Sequence, residues 1–292
     1  MEYGLILPTM PAGATAEGIA AGAETAERLG WSTVWTTDHV LVERASASEY
    51  GRIFEAISTL AWVAGRHARL RLGTSVIIVA QRNAVVLAKE LATIDALSGG
   101  RLIAGVGVGW DALEFANLGM ADRFGQRGAY LEETIALWRH LWSGSVEPFA
   151  GRFHQFTDFA FEPLPAQGAA LPIVIGGRAA PALRRAGRLG DGYHASSAGP
   201  DAIAERVPII RAAAEAAGRP MPSLSARVRV EPAERPGNGY RIAGRPEEMA
   251  AEVRRFADLG LGQLAFAFGE TAPERVVAAM ERFDREVLAA LR

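Results

Sequence analysis

The feature that most constrains this chain is a junction that recurs along it, in which an amphipathic, Ala/Arg/Glu-rich stretch ends at glycine and a short apolar run follows. Five junctions share this pattern, at Gly30, Gly65, Gly99, Gly190 and Gly260. Glycine tolerates the left-handed backbone conformation that closes a helix, so each junction predicts the end of a helix and then a strand. The chain is therefore expected to alternate helices with strands.

The remaining pattern completes an eightfold alternation. Strands are predicted near 3–7, 33–37, 70–79, 102–108, 172–176, 191–196, 224–231 and 263–268, and helices near 15–29, 54–66, 83–97, 127–143, 179–189, 200–217, 246–259 and 273–291. Several strands are continuous apolar runs, which is expected when helices cover both faces of a parallel sheet. Eight βα units predict an α/β fold with a (β/α)8 barrel of the TIM type, and a doubly wound open sheet is the alternative.

Two segments exceed the minimal barrel. From 144 to 171, aromatic and polar residues alternate around an Ala-Gly pair, which predicts a β-hairpin inserted between strands four and five. From 232 to 246, proline, glycine and asparagine predict a loop at the strand-to-helix side, either contacting substrate or serving as a solvated connector. Because a barrel of this type takes roughly 250 residues, residues 1–292 are expected to form a single domain.

Composition excludes several classes of protein. Apolar residues make up 49% of the chain and the formal net charge is -2, which excludes a disordered chain and argues against a nucleic-acid partner. Cysteine is absent, so no disulfide framework or thiolate site is available. The sequence has neither an export signal nor an apolar window of about 18 residues, which predicts a cytoplasmic protein with no membrane partner.

A histidine follows the second predicted strand, at the end of the barrel where TIM-type enzymes place their active sites. Asp38 and His39 stand there, and an imidazole exchanges a proton near neutral pH while a neighbouring carboxylate can orient it. His39 is therefore the preferred catalytic candidate, and His194 in strand six is the second. The weaker rivals, at a helix end, within a helix and in the hairpin, are His67, His140 and His154.

Glycines after strands four and five indicate two binding surfaces. Residues 105–109 allow a planar group to approach the backbone beside Trp110, although tight packing alone would also explain them. Strand five runs into Gly176, Gly177 and Arg178 at the start of a helix, where free N–H groups favour a phosphate over a plain turn. The sequence therefore places an anion site on a late loop of the barrel.

The other chemical motifs are mostly absent. Asp111 and Glu114 near the barrel mouth could be catalytic, but acids at the start of a helix are more typical of caps. The sequence has no zinc-protease, P-loop or serine-hydrolase motif and no carboxylate cluster with metal spacing, so no metal site is expected. A lone histidine, glycine-rich strand ends and an anion pocket together indicate an organic cofactor with a phosphate.

Six ordered motifs resemble the bacterial luciferase-like superfamily, and most closely its coenzyme F420-dependent oxidoreductases from actinobacteria. The motifs lie at residues 4–8, 32–39, 72–76, 105–110, 124–128 and 175–178 and span nearly the whole chain. The resemblance implies a TIM-type barrel whose mouth holds a deazaflavin or flavin ring. It also implies an insertion between strands four and five, where the hairpin is predicted.

Matched position by position, the resemblance implies a cofactor site built from the ends of four strands. His39 would be the acid/base or would stabilise hydride transfer. Trp110 would contact the substrate. The remaining positions would be Asp38 beside the ring, Ser75 and Val76 in a strand-three bulge with a non-proline cis peptide, Gly107 and Val108 through their backbone, and Gly176, Gly177 and Arg178 at the phosphate.

The resemblance implies an F420-dependent oxidoreductase that passes hydride between the deazaflavin and a small organic substrate. Trp110 stands where sugar-phosphate dehydrogenases of the family carry glutamate, and Lys89 is the only lysine, so an apolar or aromatic substrate is expected rather than a sugar phosphate. The alternatives are a monooxygenase that uses reduced FMN and a barrel that binds cofactor without turnover. A separate reductase or dehydrogenase would recycle the cofactor, and the family often forms homodimers.

Overall fold

Eight parallel strands close into a barrel in the computed structural model, which describes residues 1–10, 13–231 and 239–292. The strands are β1 (Glu2–Ile6), β2 (Thr33–Thr36), β3 (Arg71–Thr74), β4 (Leu102–Gly107), β5 (Ile173–Gly176), β6 (Gly192–Ser196), β7 (Ser223–Glu231) and β8 (Gln263–Ala267). Each strand pairs with the next, and β8 pairs with β1. The barrel prediction is confirmed, whereas the open sheet is wrong. The prediction of one domain over residues 1–292 stays a prediction.

Within the described residues, eight helices of nine or more residues cover the outside of the barrel. They are α1 (Ala16–Arg28), α2 (Ala56–Ala64), α3 (Ala84–Ser98), α4 (Arg127–Trp142), α5 (Ala180–Leu189), α6 (Pro200–Ala216), α7 (Pro246–Asp258) and α8 (Pro273–Phe283). Gly30, Gly99 and Gly260 have positive φ, as the junction pattern predicts, whereas Gly65 and Gly190 end their helices with negative φ. Nowhere in the described ranges is a helix long and apolar enough to cross a bilayer.

The third strand differs from its prediction over 70–79. β3 ends at Thr74, and a cis peptide joins Ser75 to Val76, so the predicted non-proline cis bond is confirmed. Ile77–Ile78 then pair with Val106–Gly107 at the far end of β4. The apolar run is continuous in sequence, but Ser75 and Val76 form a bulge outside the sheet and interrupt the strand.

The predicted hairpin is present in the insertion, whereas the last predicted helix is shorter than expected. The hairpin is confirmed, since Phe149–Ala150 pair antiparallel with Gln155–Phe156. The sequence predicts one helix over 273–291, but α8 ends at Phe283 and a π-helical turn, Asp284–Leu288, follows. Short helices at Ala47–Tyr50 and Ala121–Phe124 lie outside the predicted helices, whereas Ala112–Asn117 begins at the acids that the sequence places at the start of a helix.

The predicted loop over 232–246 lies partly outside the described residues, which exclude 232–238. Beyond that gap, Arg241–Ala243 form a short strand that pairs in parallel with the end of β7. Pro246 is the first residue of α7, where the N–H group that proline lacks would have no partner within the helix. The prediction that this loop contacts substrate stays a prediction.

One tryptophan fills much of the barrel interior. Trp35 on β2 is 1% exposed and packs with a small apolar cluster that is separate from the larger core under the helices. Its Nε1 donates to Gln263 Oε1 at 3.1 Å, and its ring stacks on His194 with centroids 4.5 Å apart. A Cβ on Gly73 would lie 2.2 Å from the same ring, so β3 needs glycine there.

Gly73→Ala is expected to destabilise the protein by about 1–3 kcal/mol, because the buried Trp35 ring stacks on His194 and is hydrogen-bonded to Gln263, so it cannot shift freely. Urea unfolding measures the change. Gly65→Ala is the matched control: its φ is -73° and a Cβ there would have only Ala61 O nearby, at 3.9 Å. The control is expected to be neutral or up to about 1 kcal/mol more stable, and equal losses in both variants would contradict the packing of Trp35.

Candidate active site at the barrel mouth

The His39 imidazole lies at the carboxyl end of β2 and is held by a single strong contact. The residue is 7% exposed, and its Nδ1 lies 2.9 Å from Glu114 Oε2. No residue in the described ranges hydrogen-bonds Nε2, and that atom is not among the enclosed unpartnered polar atoms. Nε2 therefore keeps solvent contact and is the ring atom available to a ligand.

Glu114 fixes which nitrogen of His39 carries the proton. Its side chain is fully buried, and Oε1 accepts hydrogen bonds from Val40 N at 2.6 Å and Leu41 N at 3.3 Å. Burial alone would raise the pKa of Glu114, but hydrogen bonds from His39 and the Val40 N–H hold it at about 2. The carboxylate is ionised and can only accept, so Nδ1 must donate and Nε2 is the nitrogen that gains or loses a proton.

The two acids near the mouth therefore have different tasks. Asp111 is a helix cap, as the sequence favours, because Oδ1 accepts from Leu113 N at 2.9 Å and Glu114 N at 3.2 Å. Glu114 belongs to the same short helix, but its side chain crosses to the loop after β2. The expectation that Glu114 is a cap is wrong. Its separation from His39 by 75 residues explains why spacing alone did not reveal the pair.

Aromatic and apolar side chains surround His39. Its ring centroid is 4.5 Å from that of Tyr50 and 5.7 Å from that of Trp110, and the last two are 6.0 Å apart. Trp110 is 54% exposed, and three nearby apolar side chains are also exposed: Val40, Leu41 and Leu113. The predicted substrate residue Trp110 thus lies beside the predicted catalytic histidine, on an apolar rim.

The Asp38 carboxylate accepts hydrogen bonds from two other residues of the protein. Its two carboxylate oxygens accept from Arg82 Nη1 and Nη2, each at 2.8 Å, and Oδ2 also accepts from Ile78 N at 2.8 Å. Burial lowers the pKa of Arg82, but the carboxylate of Asp38 outweighs it and raises that pKa overall. Asp38 therefore anchors the segment after the cis peptide to the end of β2. Its predicted contact with a cofactor stays a prediction.

The second histidine candidate lies deeper in the barrel. His194 Nε2 is 2.9 Å from Ser75 Oγ and Nδ1 is 2.8 Å from Ser225 Oγ. Burial, with a smaller contribution from the nearby cation of Arg227, lowers the pKa of His194 to about 3. Its ring is thus neutral at physiological pH and poorly suited to exchange a proton there. The other three histidines lie away from the mouth and contact Glu27, Glu147 and Glu133 respectively.

The glycines after strands four and five accommodate the side chain of Val76. A Cβ on Gly107 would lie 2.6 Å from Val76 Cγ2, and one on Gly176 would lie 3.0 Å from Val76 Cγ1. A Cβ on Gly107 would therefore overlap the Val76 side chain, whereas one on Gly176 would require Val76 to shift by a few tenths of an ångström. The backbone contacts predicted for Gly107, Val108 and Gly176 with a cofactor stay predictions.

The loop between β5 and α5 has the donors that a phosphate needs. Gly177 has φ of 134°, and the backbone N–H groups of Arg178, Ala179 and Ala180 donate no hydrogen bond within the described part of the chain. No side chain caps α5, and the exposed Arg178 has no ion pair among the described residues. Tyr193 Oη donates to Gly177 O at 2.9 Å and fixes the loop. This donor set fits a phosphate-bearing cofactor.

The structure thus brings the predicted residues to one end of the barrel, where β2, β3, β4 and β5 finish. It adds Arg82 and Arg227, which the sequence did not single out, and it pairs Glu114, which the sequence favours as a cap, with His39. A glutamate three residues after a cap commonly turns back to that cap, so the local pattern predicts the wrong partner for Glu114. No cluster of three His, Cys, Asp or Glu side chains suited to a metal occurs in the ranges that the structure describes.

Solved structures with the same architecture confirm the fold. The F420-dependent tetrahydromethanopterin reductase of Methanopyrus kandleri superposes with a TM-score of 0.79 at 17% identity, covering 100% of this chain and 99% of that one. The oxygenating constituent of 3,6-diketocamphane monooxygenase from Pseudomonas putida, in complex with FMN, gives a TM-score of 0.80 at 16% identity, covering 98% and 97%. At these identities the likeness concerns the fold alone.

Sequence comparison identifies the family. The chain is 27% identical to an F420-dependent glucose-6-phosphate dehydrogenase of Amycolatopsis mediterranei, over 92% of this chain and 93% of that protein. The model of the luciferase-like monooxygenase family matches residues 1–237. The match covers most of the 292 residues and confirms the resemblance carried by the six motifs. The chain therefore belongs to the luciferase-like monooxygenase family and is an enzyme of that superfamily of oxidoreductases.

Proposed function

We propose that this protein is an F420-dependent oxidoreductase that transfers hydride between the deazaflavin and a small organic substrate at the barrel mouth. The observation that carries the proposal is the His39–Glu114 pair, because it presents one unpartnered nitrogen, Nε2, to the mouth. The 27% identical relative from Amycolatopsis is named as F420-dependent and supports this choice of cofactor. The match extends over nearly the whole of both chains.

When bound, the deazaflavin supplies a carbon that donates or accepts hydride, and the protein must supply the proton that accompanies it. His39 Nε2 is the group for that proton, since Nδ1 is already bound to Glu114. Arg178 and the free N–H groups before α5 would hold the phosphate. The exposed apolar rim would exclude water from the reacting end of the substrate.

We propose an apolar or aromatic substrate rather than a sugar phosphate. Lys89, the only lysine in the sequence, donates to Glu162 O at 2.6 Å and lies 4.0 Å from the ring of Phe161, so it does not serve the mouth. Trp110 and Tyr50 beside His39 also offer aromatic surface and a single hydroxyl. The relative named for glucose 6-phosphate shares 27% identity, which leaves room for a different substrate.

A monooxygenase that uses reduced FMN is the second candidate. The Pseudomonas enzyme with the same fold contains FMN, and a phosphate loop serves either cofactor equally well. Oxygen uptake on addition of reduced FMN and an aldehyde would favour this candidate. The recycling enzyme, the homodimer and the cytoplasmic location stay predictions.

Cofactor binding is the first test of the proposal. The protein is expected to bind F420 at micromolar concentration, measured by fluorescence quenching, and Arg178→Gln is expected to weaken binding about three- to tenfold through loss of one charged hydrogen bond. Arg184→Gln is the matched control, because Arg184 is an exposed arginine on α5, the helix that follows the Arg178 loop. Micromolar binding of FMN with no binding of F420 would refute the choice of F420, and equal effects of the two substitutions would refute the phosphate loop.

A further inference from the structure

The half-buried side chain of Arg227 on β7 lies at the barrel mouth. Arg227 Nε donates to Ser196 Oγ at 2.8 Å, and Nη1 donates both to Thr37 Oγ1 and to Ser75 O, each at 2.9 Å. These contacts join the middle of β7 to the last residue of β6 and to the residues that follow β2 and β3. The acceptor Thr37 lies two residues before His39, so the guanidinium contacts the segment that carries the proposed catalytic group.

The cation of Arg227 has no acidic partner within salt-bridge distance among residues 1–10, 13–231 and 239–292. Its three hydrogen-bond acceptors are two hydroxyls and a carbonyl, all neutral. Burial lowers the pKa of Arg227, and the neighbouring Arg229 adds to this, although Tyr50 and Glu49 act in the other direction. A partly buried charge without a counter-ion costs less than a fully buried one, but it still favours a place where an anion can pair with it.

One nitrogen of this guanidinium is left free. Nη2 donates no hydrogen bond to any described residue, and it is not among the enclosed unpartnered atoms, so it keeps solvent contact. Its two N–H groups therefore face space that a ligand can enter. Tyr50 is close enough to interact electrostatically with Arg227, and the Tyr50 ring packs on His39.

We propose that Arg227 Nη2 binds an anionic oxygen of the ligand in the barrel mouth. Two sources share this chemistry: a carboxylate on the substrate, with its aromatic or apolar body along Tyr50 and Trp110, and an anionic oxygen on the cofactor ring. The substrate source deepens the proposed function by naming aromatic carboxylates as a substrate class. The test does not depend on F420, because the first probe is added to protein without cofactor.

The first experiment titrates the cofactor-free protein with benzoate and with benzamide, its neutral isostere, and follows tryptophan fluorescence or heat. Benzoate is expected to bind at least tenfold more tightly than benzamide, and Arg227→Gln is expected to remove that difference, since a hydrogen bond to a charged group has this magnitude. Arg229→Gln is the matched control: it removes the same charge two residues along β7, where the side chain is exposed and paired with Glu49.

The second experiment measures the affinity of the same variants for F420 and for FMN. A tenfold loss of cofactor affinity in Arg227→Gln, with benzoate binding unchanged, would assign the anionic oxygen to the cofactor. If neither benzoate nor cofactor binding changes, or if Arg229→Gln produces the same losses, the proposal is overturned. Should Arg227→Gln fail to fold, Arg227→Lys decides the question, because it keeps the charge but loses the fork and is expected to weaken binding by at least threefold.

Discussion

His39→Gln is expected to lower kcat by about 10²- to 10⁴-fold while the cofactor binds nearly as tightly as in the parent protein. Glutamine can still donate to Glu114, so the local hydrogen bond survives, but the variant has no group that exchanges a proton near neutral pH. Loss of a general acid or base typically has this magnitude. Steady-state kinetics gives kcat, and fluorescence titration gives the cofactor affinity.

His67→Gln is the control for this measurement. His67 also pairs with a glutamate, at 3.1 Å from Glu27, but it lies at the end of α2, away from the mouth. Its variant is expected to keep kcat within about twofold, since nothing in the site changes. A His39→Gln enzyme with kcat within threefold of the parent would show that the proton comes from another group. A parallel loss of cofactor affinity would instead indicate that His39 mainly binds the ring.

The sequence predicts the barrel well because its strongest signals are local. Each βα unit carries its own apolar run and helix cap, and these depend on neighbouring residues only. Where the prediction is wrong, a contact between distant strands decides the outcome. The run over 70–79 predicts one strand, yet Val76 packs against Gly107 and Gly176, and the bulge that places it there breaks the strand.

The sequence predicts where the site lies, but it does not predict which residues contact His39 and the other side chains of the site. His39 follows from its position at the end of a strand, which any barrel would use. Its partner Glu114 comes from a helix 75 residues later, and the partners of Arg227 come from the end of β6 and from the residues that follow β2 and β3. Such pairs depend on the closure of the barrel, which no local pattern contains. Asp38 shows that neighbours in sequence need not be partners: it precedes His39 directly, yet its carboxylate accepts hydrogen bonds from Arg82.

Glu114→Gln is expected to lower kcat by about 10- to 10³-fold and to change the pH dependence of the reaction. The carboxylate only accepts, which forces the proton onto Nδ1 of His39 and leaves Nε2 for the substrate. An amide can donate as well as accept, so the ring can adopt the tautomer with its proton on Nε2. Loss of the orienting carboxylate in a Ser-His-Asp triad is costly for the same reason. The kcat–pH profile of both proteins provides the test.

The same substitution is expected to change the dependence of stability on pH in a defined direction. The pKa of Glu114 is about 2 in the fold against an ordinary value of 4.5, so its carboxylate stabilises the fold above pH 4.5 and this stabilisation is lost as the pH falls toward 2. The shift corresponds to about 3 kcal/mol. Relative to the parent, Glu114→Gln should therefore be less stable by up to about 3 kcal/mol at pH 7 and by only about 1 kcal/mol at pH 3.

Urea unfolding at pH 7, 5, 4 and 3 measures this difference, with Glu24→Gln as the control. Glu24 lies exposed on α1 with no hydrogen bond or ion pair among the described residues, so its substitution is expected to change stability by less than about 0.5 kcal/mol at every pH. A difference that stays constant with pH would mean that Glu114 is not held ionised by His39. Any loss of activity in Glu114→Gln would then reflect altered packing and not a change in the His39 tautomer, because only an ionised Glu114 requires the proton to stay on Nδ1 of His39.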